Sequence, residues 1–439
     1  MILDAKAKDA SKGALMTAWI DRFFVPILIA LSPALTFIVT WSLEGDLSAY
    51  QRFMRTYSLP LWLCELAVIV IAVRESGGRT LFDGLKRVQI FLPLLILVGV
   101  AFWTAWAVAP NPLIAYLRNG LWLTHLLFGL SIWRLAGRKF SSQDFVDALI
   151  AGYLFVSLMF LVFVSSIPDP QSFDWTNDLP LASHIRHFGY YSAAMAGLAI
   201  GIVATKPPSS WRWPVGVIVI LLSFTFAFWS GTRGALAASA GGLAIGVVVL
   251  PTFRKFRVLT LVPALLAVSA AASLTLPSYA GNMGLDRTIS AAVGDQEGGL
   301  TTGRTVMWRK NWHDILERSL VGYGEGQMIS VSRHANAIQP HNVLMQVLLA
   351  WGFIGLICIL SLTLPLAWRT ITIVRKSPGE LAAPFVAMAS LAAYSLFDGT
   401  FFHVLPLALF AAFLGITLAP LSAREASGPE RAAGAIAKI

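Results

Sequence analysis

The chain has 439 residues, of which 56% are hydrophobic and 13% charged. So few charges could not cover the apolar surface of a water-soluble fold, which excludes a soluble globular protein. The net charge of +10 therefore reads as loop charge that orients a membrane protein, with membrane lipids and no nucleic acid among its partners.

Apolar runs predict an all-α integral membrane protein of about twelve transmembrane helices. They lie near Phe23 to Trp41, Leu59 to Val73, Val88 to Ala109, Leu113 to Leu135, Asp144 to Ser166, Phe188 to Thr205, Trp213 to Trp229, Gly234 to Leu250, Val258 to Leu276, His341 to Trp368, Leu381 to Asp398 and Phe402 to Leu421. The first run is long enough to stay as an anchor and is not a cleaved leader. Of the 33 Lys and Arg residues, 22 fall in connections on the side of the termini and 10 on the opposite side, with Arg118 inside a span. The positive-inside rule then puts the termini in the cytoplasm. Residues 1–22 form a cytoplasmic N-terminus, 23–276 carry helices 1–9, 277–340 form a long periplasmic loop, 341–421 carry helices 10–12, and 422–439 are a cytoplasmic tail.

Two charged residues inside spans, Glu65 and Arg118, fall at similar depth, and each would cost about 2.5 to 3.5 kcal/mol unpaired. They are expected to approach one another or share a polar cavity. His125 reads as a hydrogen-bonded helix contact. Glu44 and Asp46, with Arg52 and Arg55 behind them, read as solvated acids, and the pattern supplies no metal site and no cofactor. Cys64 and Cys358 lie in apolar runs, which rules out a disulfide framework built on them.

Outer-side residues carry the candidate chemistry. Ser183-His184-Ile185-Arg186-His187-Phe188-Gly189-Tyr190-Tyr191 enters a span with cations beside tyrosines, either an interfacial belt or a grip on a phosphate and a sugar face. Arg233, in Ser230-Gly231-Thr232-Arg233-Gly234, either snorkels to headgroups or binds an anion in paired hydrogen bonds. In the long loop, Trp308, Trp312, Ile315 and Leu316 recur at helical spacing, which predicts an amphipathic interfacial helix. Thr301 or Thr302 would cap its start, and Gly322, Gly324 and Gly326 would stop it. Arg304 in its first turn opposes the helix dipole, and is either an exposed solubilising arginine or one whose cost an external anion offsets. His341 follows Pro340 at a helix start, where it is either a cap or a general base.

Together these residues resemble the O-antigen ligase and polymerase superfamily of bacterial envelope enzymes. The resemblance rests on Ser230 to Gly234 before a small-residue span, and on Gly303-Arg304 with Trp308 followed by Val321-Gly322-Tyr323-Gly324-Glu325-Gly326. It also rests on Pro340-His341-Asn342 followed by Leu348 and Trp351-Gly352-Phe353-Ile354-Gly355. It covers roughly 215 to 360, and Arg186 to Tyr191 looks like the ligases. The resemblance implies a type C glycosyltransferase architecture that takes a glycan from undecaprenyl diphosphate at the periplasmic face of the inner membrane. In a ligase the acceptor is lipid A-core oligosaccharide, in lipopolysaccharide biosynthesis, with inversion and without a metal. On that reading Arg233, Arg304 and Arg186 hold the diphosphate and His341 deprotonates the acceptor hydroxyl, while His187, Tyr190, Trp308 and Asn342 line the substrate. An O-antigen polymerase, using a second lipid-linked glycan as acceptor, is the near alternative. A secondary transporter is the alternative of another class, and it expects polar sites near the bilayer midplane.

Overall fold

The computed structural model describes residues 22–41, 58–75, 82, 90–175, 178–182, 184–278, 283–293, 303–331 and 338–426. All the described elements are helical, without a strand among them. In chain order they are α1 (Arg22–Trp41), α2 (Leu59–Glu75), α3 (Phe91–Ala107), α4 (Pro112–Leu135), α5 (Ser142–Ser166), α6 (Phe188–Thr205), α7 (Arg212–Trp229), α8 (Arg233–Val249) and α9 (Phe256–Ser273). These are followed by α10 (Gly284–Val293), α11 (Arg304–Glu317), α12 (Val343–Lys376), α13 (Pro378–Ser395) and α14 (Val404–Ala426). Every apolar run read from the sequence coincides with one of these helices. Among the described residues six stretches are long and apolar enough to cross a membrane: α1, α5, Ile185–Thr205, α7, α9 and α12. Phe91–Ala107, Arg233–Val249 and Val404–Pro420 are shorter apolar helices.

Helix ends follow local chemistry. Ser141 and Asp144 form a capping box at the start of α5, which satisfies two otherwise orphaned N–H groups. Asp144 also takes a two-point ion pair from Arg22 of α1, at 2.9 and 2.7 Å, and Asp147 pairs with Arg212 of α7 at 2.7 Å. These contacts align α1, α5 and α7 at one end of the bundle.

The innermost helix is α6, with 94% of its apolar window buried. It packs against α7 and α13, and α13 packs in turn against α8. Small residues permit this approach: a Cβ at Gly197 would lie 2.6 Å from Ser390 Oγ, and one at Gly201 would lie 2.5 Å from Ala383 Cα. Between apolar helices in lipid, such close backbone packing supplies much of the association.

One helix is interrupted. In α12, Gly352 has φ 60 and ψ −161, and the segment 319–324 fills the gap. Leu349 and Ala350 carbonyls accept from Tyr323 N at 2.7 Å and Gly324 N at 2.8 Å, while Phe353 N and Ile354 N donate to Ser319 O at 2.8 Å and Leu320 O at 3.1 Å. Each such group left bare in hydrocarbon would cost several kcal/mol, so the inserted segment is what permits the break. The break lies about 14 Å along the helix from Val343. A side chain at Gly352 would overlap the Leu320 carbonyl, and one at Gly322 would come within 2.5 Å of Leu349 O.

The inserted segment also corrects the expectation for Arg118. Its guanidinium pairs with the buried Glu325 at 3.2 Å, donates to Phe402 O at 2.8 Å, and lies 3.9 Å from the centre of the Phe402 ring. Glu65 instead meets His125 at 2.8 Å, which agrees with the helix-contact reading of that histidine. Glu65 and Arg118 thus take separate partners, because a loop folding into the bundle delivers a second carboxylate that helix spacing cannot reveal.

One expectation for α11 also changes. Its N-cap is Gly303 at φ 77 with no side-chain cap; Thr301 and Thr302 lie outside the described residues. Its buried face carries Met307, Asn311, Asp314 and Ile315, whereas Trp312 and Leu316 are 41% and 53% exposed. Packing on α12 and Tyr323 selects that face. Glu44, Asp46, Arg52 and Arg55 likewise fall outside the described residues.

Candidate functional site

At the bundle end that loop charge assigns to the outer face, the starts of α6, α8, α11, α12 and α14 come together with the end of α13. His184 caps the short turn Ile185–His187, its Nδ1 accepting from Arg186 N at 3.1 Å. Burial, then the charges of Arg186 and Arg287, lower the His184 pKa to about 4, so that acceptor nitrogen stays unprotonated near neutrality. The turn into α8 is tight: Gly231 has φ +63 and the Ser230 and Thr232 hydroxyls meet at 2.6 Å.

Asp398, in the connection after α13, ties these elements together. Its Oδ1 receives Tyr190 Oη at 3.1 Å, Gly399 N at 2.7 Å and His341 Nδ1 at 2.8 Å. Its Oδ2 receives Arg304 Nη2 at 3.1 Å. Arg304 Nη1 also donates to Phe397 O. Burial opposes ionisation of Asp398, but the His341 bond, the Arg304 charge and the Gly399 N–H outweigh it and hold the carboxyl below its usual range. An ionised carboxylate only accepts, so His341 carries a proton on Nδ1, and Nε2 is the ring nitrogen left for other partners. The His341 side chain is 35% exposed and its backbone is left-handed at φ 50, a conformation uncommon for a residue with a Cβ.

Around this pair stand arginines within electrostatic reach of one another: Arg186 of Arg233 and Arg304, Arg233 of Arg304, and Arg287 of all three. Arg186 Nε and Arg233 Nη1 are buried without a hydrogen-bond partner among the described residues. Guanidinium groups held together with spare donors beside uncapped helix starts have the chemistry to bind an anion. Among the described residues no group of three His, Cys, Asp or Glu is arranged to hold a metal ion.

The structure therefore brings together Arg186, Arg233, Arg304 and His341. It gives the other four candidates supporting positions. His187 is buried on His403, ring centres 3.9 Å apart, and Tyr190 gives its hydroxyl to Asp398. Trp308 Nε1 donates to Pro340 O at 2.7 Å, fixing the approach to His341. Asn342 caps α12 through Leu344 N and Met345 N and donates to Leu396 O, so the helix cap is Asn342 and not His341. The anion expected to offset Arg304 comes in part from within, as Asp398. Sequence reasoning missed Asp398, Arg287 and His403. The available signal for Asp398 was a carboxylate at a span end on the same side as the arginines.

The fold and this site define a multi-pass helical membrane protein whose mouth joins guanidinium groups to a carboxylate–imidazole pair. Residues 218–360 match the family model described as O-Antigen ligase. The match agrees with the resemblance to the O-antigen ligase and polymerase superfamily, a family of glycosyltransferase-like enzymes. It spans the α8 turn, Arg287, Arg304, His341 and the interrupted part of α12. No curated protein matches the chain.

Proposed function

We propose that the protein is an O-antigen ligase, moving a glycan from undecaprenyl diphosphate to a hydroxyl of lipid A-core oligosaccharide. The reaction runs at the periplasmic face of the inner membrane, across which the chain passes twelve times. The observation that carries this reading is the Asp398–His341 pair set among arginines, in a chain whose central region matches the ligase family.

In this mechanism His341 Nε2 takes the proton of the acceptor hydroxyl as its oxygen attacks the anomeric carbon. The carbon–oxygen bond to the diphosphate breaks with inversion, and its electron pair passes to the phosphoryl oxygen. Asp398 keeps His341 oriented and stabilises the imidazolium that forms. Arg186, Arg233 and Arg304 bind the diphosphate and supply the charge that a divalent metal would otherwise bring.

The test is transfer in proteoliposomes containing lipid-linked O-antigen and lipid A-core, with a chelator present. Glycosylated lipid A-core is the expected product. Its absence refutes the ligase assignment, and elongation of the lipid-linked glycan alone would make the enzyme a polymerase. His341→Gln is expected to abolish transfer, and normal transfer by that variant would remove the base assignment.

A further inference from the structure

Arg287 stands apart from the other arginines of the mouth. It lies on α10, is 6% exposed, and reaches the Gly231 carbonyl through Nη1 at 3.2 Å. Its stem runs beside the same turn, Cδ lying 3.2 Å from where a Gly231 Cβ would stand. Arg118 and Arg304 each hold a carboxylate, Glu325 and Asp398. Among the described residues the charges acting on Arg287 are instead those of Arg186, Arg233 and Arg304, which with burial bring its pKa down to about 10. A buried guanidinium facing other guanidinium groups is costly unless an anion joins them.

Charge counting suggests what that anion is for. Arg186, Arg233 and Arg304 against Asp398 leave two net positive charges, and Arg287 raises the total to three. A diphosphate esterified at both ends carries about two negative charges; once the sugar bond breaks, the freed terminal phosphoryl group gains about one more near neutrality. Three arginines thus suffice for the bound donor, and the fourth fits the departing group.

We infer that Arg287 contacts the phosphoryl group that leaves the sugar and stabilises the departing lipid diphosphate more than the bound donor. This rests on the ligase reading above. Interactions that strengthen only as charge develops raise kcat and leave ground-state binding little changed.

The experiment compares wild type, Arg287→Gln and Arg287→Lys as full-length protein in proteoliposomes. It reads kcat, donor KM, inhibition by inorganic pyrophosphate, and the melting temperature without anion. For Arg287→Gln, kcat should fall about 100-fold, the scale of losing one charge-stabilising donor. Pyrophosphate inhibition should weaken about tenfold, with donor KM within about threefold of wild type and an unchanged melting temperature. Arg287→Lys should fall between the two.

Three results overturn the inference: wild-type kcat and pyrophosphate inhibition, a raised KM at unchanged kcat, or a lowered melting temperature with pyrophosphate inhibition intact. The last would make Arg287 a staple of the Gly231 turn. If Arg287→Gln does not fold, Arg287→Lys decides, and pyrophosphate inhibition equal to wild type refutes the contact. Wild-type protein that transfers no glycan removes the ligase reading and this inference with it.

Discussion

Replacing Asp398 with Asn tests the site where its connections are densest. Among the described residues Oδ1 accepts from three donors, Tyr190 Oη, His341 Nδ1 and Gly399 N, and Oδ2 accepts from Arg304 alone. An asparagine that keeps its oxygen toward the three donors presents its NH2 to Arg304. The reverse orientation faces three donors with a donor, so the first prevails. The His341 tautomer then survives while Arg304 is released and the negative charge disappears. Losing the charge-assisted bond to Arg304 is worth roughly 1.5 to 3 kcal/mol, and the imidazolium formed in the reaction loses its counter-charge as well. Together they predict a fall in kcat of about 10² to 10³, corresponding to about 3 to 4 kcal/mol of barrier. That is smaller than the roughly 10⁴-fold loss seen where an Asp to Asn change also reverses the tautomer. Glycan transfer to lipid A-core in proteoliposomes, followed by product mobility and paired with a melting curve, measures it. Folded Asp398→Asn protein with turnover within about threefold of wild type would refute the proposed roles of Asp398.

Gly352→Ala should cost several kcal/mol, because its positive φ and the Leu320 carbonyl both exclude a Cβ; a melting temperature equal to wild type would contradict the account of the break. Arg118→Met and Glu325→Leu should each lower stability by about 3 to 5 kcal/mol by stranding a buried charge, and the double variant should recover part of it; strictly additive losses in a thermal double-mutant cycle would oppose this. His184 has a folded-state pKa of about 4, below its ordinary 6.5. As pH falls from about 6.5 toward 4 the unfolded chain takes a proton that the folded chain resists, so stability drops in that window. His184→Asn, which caps without titrating there, should flatten the slope of melting temperature against pH, and an unchanged slope would show that His184 does not set it.

Much of the architecture was legible because the bilayer demands long apolar helices, and runs such as Phe188 to Thr205 meet that demand almost residue for residue. Arg233, Arg304 and His341 were legible because a cation or imidazole beside a tight turn or helix start is locally unusual. Asp398 was not, since one carboxylate at the end of an apolar run says nothing of Tyr190, Arg304 and His341, which are distant in sequence. In α11 apolar spacing marked Trp312 and Leu316, which stay exposed, but it could not show that the protein-facing side also buries Asn311 and Asp314. The partner of Arg118 depended on a loop entering the bundle, and local periodicity does not encode such an insertion.

The gap at Gly352 has a consequence for how the chain is made. Its plug, residues 319–324, precedes α12 in the sequence and leaves the ribosome first. Until that plug docks, α12 cannot close four of its backbone bonds, so its two halves enter lipid as separate short pieces or wait at the insertion machinery. Docking of the segment 319–324 and completion of the α12 backbone bonding are thereby one event. Changes in the spacing between residues 319 and 352 should be felt as failed insertion before they are felt as lost turnover.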